Sequence, residues 1–341
     1  MLEIYGTLGL SCADARILKD MINAGMSAIR LNLSHGPLKN HLDWMDELHQ
    51  AMKETGKNIP IAIDLQGREL RIMDLKKPVT LEEGQTICLG TDIPVDSLIL
   101  DQIQEGVKVQ IDDGKILLQT LRRMEDGSIL CDVLRPGKVE SRKSLYLIGQ
   151  TINLSPLTHE DLANLQLADS LGIDRIMVPF VQERHDLLEL KKALEKIGFH
   201  GKILAKIENR KGMENIEEIA RECDMIVIAR GDLANDIGLI NIARGQEWLE
   251  KKCHALHQPY MVVTEMLNGM RTAPSATRAE INDVYWAVKR GANAIMLTGE
   301  TASGQYPQKA METFVQAAQS ALDALKEETA QASCLKTVGI D

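Results

Sequence analysis

The sequence predicts an α/β protein: a (β/α)8 TIM barrel with a small all-β lid domain inserted into it. Three observations predict this fold. Eight short apolar runs rich in β-branched residues recur along the chain, and a segment of helical period lies between most successive runs. One stretch, residues 72–150, breaks that rhythm with regularly spaced glycines. At 341 residues the chain is long enough for one large domain and a smaller one.

The apolar runs lie at 2–7, 27–33, 59–65, 174–179, 202–207, 224–229, 259–264 and 293–298. They are mostly apolar throughout rather than alternating, as strands covered on both faces of a parallel sheet require. The segments of helical period are 12–25, 38–56, 158–171, 182–198, 210–221, 243–257, 276–290 and 307–326. Thr158 ahead of His-Glu-Asp reads as a helix N-cap, and Gly172 after Leu171 as a helix stop. Eight βα units favour a closed barrel over an open doubly wound sheet, although periodicity alone does not give strand order. Within the interruption, Gly84, Gly90, Gly106, Gly114, Gly127, Gly137 and Gly149 punctuate short β-like runs such as QTICLG, KVQIDDGKILLQT and SILCDVL. Asp113-Gly114 reads as a hairpin turn. The expected organisation is a barrel over 1–71 and 151–327, a β lid over 72–150, and a frayed polar tail over 328–341.

Composition narrows the function. Hydrophobic residues make up 44% of the chain, enough for a sizeable core, and 15 methionines can fill gaps that the 3% of aromatics leave. A formal charge of −10 without a basic run argues against a nucleic-acid surface. The chain has neither an 18-residue apolar run nor a secretory leader, so a soluble cytoplasmic protein without membrane contact is expected. No two of the six cysteines sit at C-x2-C spacing and no histidine cluster accompanies them, which argues against a zinc site or a disulfide framework.

In a barrel of this type the working residues stand at the C-terminal ends of strands and in the loops that follow. The second run ends in Arg30, Asn32, Ser34 and His35, and the third in Asp64 with Glu69 and Arg71 beyond it. Lys206, Glu208 and Asn209 end the fifth, and Arg230, Gly231 and Asp232 the sixth. Thr264 and Glu265 end the seventh, and Thr298, Gly299 and Glu300 the eighth. One charged residue at such an end is usually a cap or a loop ion pair; six ends loaded in this way point to chemistry. Glu208 and Asp232 offer two hard carboxylates to one divalent ion, with water and substrate oxygens completing an octahedron, or are solvated loop residues. Lys206, two residues before Glu208 on an apolar strand, points to the same side. Its ammonium suits an oxyanion or a transferring phosphoryl group, or a structural ion pair. Arg30 and Arg71 carry planar forks suited to phosphate oxygens. The amides from Gly231 onward suit a carboxylate, and Thr264 suits a hydrogen bond or proton relay near a reactive carbon, or a helix cap.

These residues also carry a family resemblance. RLNLSHG (30–36), AKIEN (205–209), ARGDL (229–233), VTEML (263–267), TRAEINDV (277–284) and IMLTGETASGQYP (295–307) resemble, in order, the signature segments of pyruvate kinase. The resemblance runs from the first strand to about residue 325, and KVQIDDG resembles a segment of that family's lid domain. It implies a cytoplasmic phosphotransferase of glycolysis that moves the phosphoryl group of phosphoenolpyruvate to ADP through a Mg²⁺-bound enolpyruvate. Lys206 would stabilise the transfer, and Glu208 and Asp232 would hold Mg²⁺ or Mn²⁺. The Gly231 and Asp232 amides and Thr264 would cradle the substrate carboxylate, with Thr264 near the carbon to be protonated. Arg30 would contact the phosphoryl group. Asn32, Ser34, Asp64 and the Leu65 carbonyl would bind K⁺, and Glu69 matches the residue that accompanies K⁺ dependence. Arg71 and His35 would face the nucleotide phosphates, and Lys143 would reach down from the lid. The implied partners are small molecules, with no nucleic acid and no membrane, and a homo-oligomer stays open.

The departures from the family pattern cluster on the nucleotide side. TLGLSC stands for TIGPAS, so Leu10 replaces a proline; Asn40 stands for a tyrosine, and Ser303 for the lysine of GETAKG. In the loop after the third run, Gln66 replaces a lysine and Arg68 a proline. RKSLYLIG stands for KKGVNLPG in the lid, with Tyr146 and Ile148 in its hinge, and GDLANDIG for GDLGIEIP, which puts Ala234 in place of glycine. These changes motivate an alternative: a Mg²⁺-dependent phosphoenolpyruvate or pyruvate enzyme with an acceptor other than ADP, or a 2-oxo acid lyase or decarboxylase using the same enolate site. A non-catalytic descendant predicts damage at Lys206, Glu208, Asp232 or Thr264, and all four are in place. The sequence stops after the eighth helix, so the effector regulation tied to the family's C-terminal domain is not expected.

Overall fold

The computed structural model describes residues 2–112, 114–150 and 152–337, with side chains to residue 330. Eight parallel strands close into a barrel: β1 (Glu3–Leu8), β2 (Ala28–Asn32), β3 (Ile61–Asp64), β4 (Arg175–Val178), β5 (Lys202–Ile207), β6 (Met225–Ala229), β7 (Tyr260–Val263) and β8 (Ala294–Met296). Each strand pairs with its neighbours in sequence, and β8 closes on β1 through Tyr5 opposite Met296. The open doubly wound sheet is thereby excluded.

The strands are apolar throughout because both faces are buried. One face meets the helices, where Ile29, Leu31, Ile63, Ile176, Ile207 and Ile228 join the main core. The other fills the barrel interior, where Ala28, Ala62 and Ala294 make room for Tyr5, Met177, Leu204, Met261 and Met296. Methionine is thus used as the gap filler that the shortage of aromatics calls for. At the N-terminal end of the barrel, Arg175 pairs with Glu3 at 2.6 Å and donates to the Tyr5 hydroxyl, so this buried cation serves stability.

The α-helices outside the insert are α1 (Ala15–Ala24), α2 (Leu42–Thr55), α3 (His159–Ala168), α4 (Arg184–Ile197), α5 (Arg210–Glu214), α6 (Ile216–Ala220), α7 (Arg230–Ile237), α8 (Ile242–Ala255), α9 (Arg278–Lys289), α10 (Gly299–Ala302) and α11 (Pro307–Thr337). Thr158 and Asp161 form a capping box on α3, and Gly172 ends the following turn in the left-handed region, both as expected. Three features differ from the sequence reading. The single helix expected over 210–221 is broken at Asn215 into α5 and α6. An unexpected helix, α7, starts directly at the end of β6. The expected frayed tail from 328 instead continues α11 to Thr337, because its Ala, Glu, Gln and Lys residues favour helix and Glu328 pairs with Lys289 at 2.5 Å. Residues 338–341 lie outside the described residues.

Between β3 and α3 the chain forms the insert. Its five-stranded antiparallel sheet has the order 145–148, 108–111, 116–123, 129–135 and 86–89, and a ribbon pairs 79–81 with 137–139. Burial alternates along 129–135, as a sheet with one covered face requires, and Ile87, Leu89, Val109, Leu118, Val133 and Leu147 belong to a separate core. In the expected turn between 108–111 and 116–123, Asp113 lies outside the described residues, while Gly114 adopts φ +81°. Outgoing and returning chains run side by side at the hinge, where Leu145 N–H donates to the Leu70 carbonyl at 2.8 Å. Cys12, Cys88, Cys131, Cys223 and Cys253 are unpaired, and the Cys334 side chain lies outside the described residues. Among the described residues no helix is long and apolar enough to cross a membrane.

Candidate active site

A cavity of about 740 Å³ opens at the C-terminal mouth of the barrel. Strand periodicity explains its chemistry. Side chains two residues apart share a face, so the interior rows climb from apolar to polar: Ala28 to Arg30 and Asn32, Ala62 to Asp64, Leu204 to Lys206 and Glu208.

Four of these side chains form a buried charge cluster. Arg30 donates to Asp64 Oδ2 from Nε at 3.1 Å and from Nη2 at 2.5 Å. Lys206 Nζ lies 3.1 Å from the same oxygen and 3.0 Å from Glu208 Oε1. Two cations and two carboxylates leave the cluster formally neutral, which is what makes its burial tolerable. Burial opposes the charge on Asp64, but Lys206 and Arg30 outweigh it and hold the carboxyl below its ordinary range. Burial likewise opposes the Lys206 ammonium, and Asp64 with Glu208 more than reverse this, so Lys206 is firmly protonated. The Glu208 carboxyl is pushed up by burial, against the pull of Lys206. Glu208 Oε2 accepts from the Phe180 amide at 2.7 Å, and Phe180 adopts φ +52° to present that N–H.

Oxygen donors for two cations stand in the same cavity. Asp64 Oδ1 is buried with no hydrogen-bond partner among the described residues. Asn32 and Ser34 line the cavity beside it, with Asn32 Oδ1 accepting from Ser34 N–H at 3.2 Å. An orphaned carboxylate oxygen with neutral oxygens nearby fits a monovalent cation. Leu65 packs its side chain into the core and can contribute only its carbonyl. For a divalent ion, Glu208 and Asp232, the latter in the first turn of α7, line one cavity. Among the described residues no group of three or more His, Cys, Asp or Glu side chains could hold a metal. A divalent ion would therefore take its remaining ligands from substrate and water, in keeping with a hard cation of high coordination number.

Thr264 is strained. It adopts φ +79° and Glu265 φ +56°, a region costly for a β-branched residue. Arg230 holds it there, donating to the Thr264 carbonyl from Nε at 3.2 Å and Nη2 at 2.6 Å while pairing with Asp283 at 2.7 Å. Gly231 lies against the threonine, where a Cβ would come within 3.1 Å of Thr264 Cγ2. Gly231 lines the adjoining groove of about 1280 Å³, which Asp232 and Thr264 share, rather than the main cavity.

The remaining expected residues divide. Arg71 lines the cavity, paired with Glu69 at 2.5 Å. His35 stands at the rim, its pKa lowered by desolvation and then by Arg71 and Arg30. Lys143 is not brought to the cavity: it pairs within the insert with Asp112 at 3.0 Å and Glu140 at 3.8 Å. Two other residues at loaded strand ends take structural roles. Glu300 is buried and accepts from the Leu267 and Thr298 amides, and Asn209 caps α5 through Gly212 N–H at 2.7 Å. Arg68 is buried in an ion pair with Asp186, which in turn caps α4. The sequence reading did not single out Phe180, Asp283, Arg271 or the His41–Trp44 ring pair, whose centroids are 4.4 Å apart. Asp283 lies within the segment TRAEINDV, and the aromatic pair left a trace as a tryptophan in a chain poor in aromatics.

The family described as "Pyruvate kinase, barrel domain" matches residues 2–311. The pyruvate kinase of Staphylococcus saprophyticus is 35% identical over 332 residues, covering 94% of this chain and 56% of that protein. The pyruvate kinase of Geobacillus stearothermophilus is 36% identical over 329 residues, covering 93% and 56%. The pyruvate kinase of Leishmania mexicana is 33% identical over 338 residues, covering 95% and 68%. The chain thus spans little more than half the length of the two bacterial relatives.

Proposed function

The chain belongs to the pyruvate kinase family, and from that premise we propose that it transfers the phosphoryl group of phosphoenolpyruvate to ADP, leaving enolpyruvate to be protonated to pyruvate. The observation that carries this reading is the buried Arg30–Asp64–Lys206–Glu208 cluster facing a cavity shared with the strained Thr264. Arg30 and Lys206 present positive charge to the phosphoryl oxygens, and Asp64 fixes both cations by accepting from them. The Gly231 and Asp232 amides hold the substrate carboxylate. Thr264 stands near the carbon that takes the proton, positioned through its carbonyl by Arg230. Glu208 and Asp232 would hold Mg²⁺ or Mn²⁺, and Asn32, Ser34, Asp64 and the Leu65 carbonyl would hold K⁺. When bound, these ions would supply charge neutralisation for the phosphoryl group and the enolate. The substrates are small molecules, and we place the protein in the cytoplasm.

The test is pyruvate formation from phosphoenolpyruvate with Mg²⁺ and K⁺, with and without ADP, beside a Lys206→Ala variant. ADP-dependent turnover that the variant loses is the expected result. Absence of turnover, together with Mg²⁺-dependent release of pyruvate from oxaloacetate, would overturn the reading in favour of a lyase or decarboxylase.

A further inference from the structure

The cavity is lined by four permanently charged cations, Arg30, Arg71, Lys206 and Arg271. Three are matched by carboxylates: Arg30 by Asp64, Arg71 by Glu69, and Lys206 by Asp64 and Glu208. Arg271 has no carboxylate partner among the described residues. Its Nη2 meets only the neutral Ser303 hydroxyl, at 3.4 Å.

The backbone of Arg271 is held in place, and its exposed side chain lies along the loop after β8. The Arg271 carbonyl accepts from Gln305 N–H at 2.9 Å, and a Cβ on Gly304 would come within 3.2 Å of Arg271 Cα. A Cβ on Gly299 would come within 3.0 Å of Arg271 Nε, so the close approach of the guanidinium depends on that glycine. The place is also specific. Arg271 follows β7 and packs against the loop after β8, which itself packs on the loop after β1 through Ser11 N–H and the Ala302 carbonyl at 3.1 Å. In the closed ring, β1 stands across from β5, which carries Lys206 and Glu208. The unmatched cation is thus anchored beside the loops after β8 and β1, across the ring from β5 with Lys206 and Glu208.

We propose that Arg271 binds an anionic oxygen of the phosphoryl acceptor, the diphosphate of a nucleoside diphosphate, and so supplies at the acceptor end the cation that Ser303 lacks. The proposal rests on the phosphotransferase reading and names the residue that grips the second substrate. An arginine fork matches phosphate oxygens in a bidentate way that a lysine does not.

The experiment is calorimetric titration of the full chain with ADP and Mg²⁺, beside Arg271→Ala and the double variant Arg271→Ala/Ser303→Lys, with steady-state kinetics on each. Arg271→Ala should weaken ADP binding about tenfold or more and raise the KM for ADP in step, with the KM for phosphoenolpyruvate unchanged. The double variant should recover most of that loss. Unchanged ADP affinity in Arg271→Ala, while the native chain turns over with ADP, would overturn the proposal and keep the kinase reading. ADP binding that depends on Arg271 in a chain that does not turn over would keep the proposal and overturn that reading. Failure of the native chain to bind ADP would overturn both.

Discussion

Replacing Lys206 with methionine removes the ammonium that sits between Asp64 and Glu208. The three side chains are 13%, 1% and 2% exposed, so solvent screens the cluster only weakly. Breaking a buried pair by removing one partner costs about 3–5 kcal/mol. Here Arg30 still grips Asp64 and the Phe180 amide still reaches Glu208, which places the loss near the lower end, about 3 kcal/mol. That corresponds to a fall in Tm of about 6–12 °C for a large domain. Because the two carboxylates then repel one another, a divalent cation should restore stability more strongly in the variant than in the native chain. Turnover should drop by a factor of roughly 100–1000, the usual loss when one group that stabilises transition-state charge is removed. Thermal melts with Mg²⁺ and with chelator, alongside the pyruvate assay, measure both effects. A loss below about 1 kcal/mol with no difference in the Mg²⁺ response would refute the claim that Lys206 neutralises this cluster.

Three further substitutions probe the site and the buried Arg68–Asp186 pair. Thr264→Gly should leave stability unchanged or raise it by about 1 kcal/mol, since glycine tolerates φ +79°, while activity falls; clear destabilisation on urea titration would show that the threonine is not strained. Asp186→Asn should cost about 3–5 kcal/mol by leaving Arg68 buried without a counter-charge, read as a shift of the urea midpoint; a loss under 1 kcal/mol would mean that this pair is not sealed from water. Asn32→Ala removes an oxygen from the expected K⁺ site and the cap on Ser34 N–H, so the K⁺ needed for half-maximal activation should rise about tenfold with about 1 kcal/mol of stability lost; an unaltered K⁺ response would remove Asn32 from the site.

Much of the barrel was legible because its strands are buried on both faces, which writes unbroken apolar runs such as YMVV and MIVIA into the sequence. The side chains at the strand ends were legible for a related reason, since a period of two carries Leu204 into Lys206 and Glu208 without help from any loop. Elements governed by tertiary contacts were not. The helix α7 has almost no apolar periodicity and buries only Leu233. Arg271 and Phe180 reach the site from loops, so their spacing in sequence gives no sign of it. Glu300 shows the opposite failure: a carboxylate placed like a catalytic one is consumed by the Leu267 and Thr298 amides.

We propose that this cavity moves a phosphoryl group from phosphoenolpyruvate to ADP. Phosphorus NMR of the chain with both substrates, Mg²⁺ and K⁺ tests it most directly by following the phosphorus atom itself. The phosphoenolpyruvate signal should be replaced by the γ-phosphate signal of ATP in equal amount. Conversion to inorganic phosphate with no ATP, or no conversion at all, would contradict it.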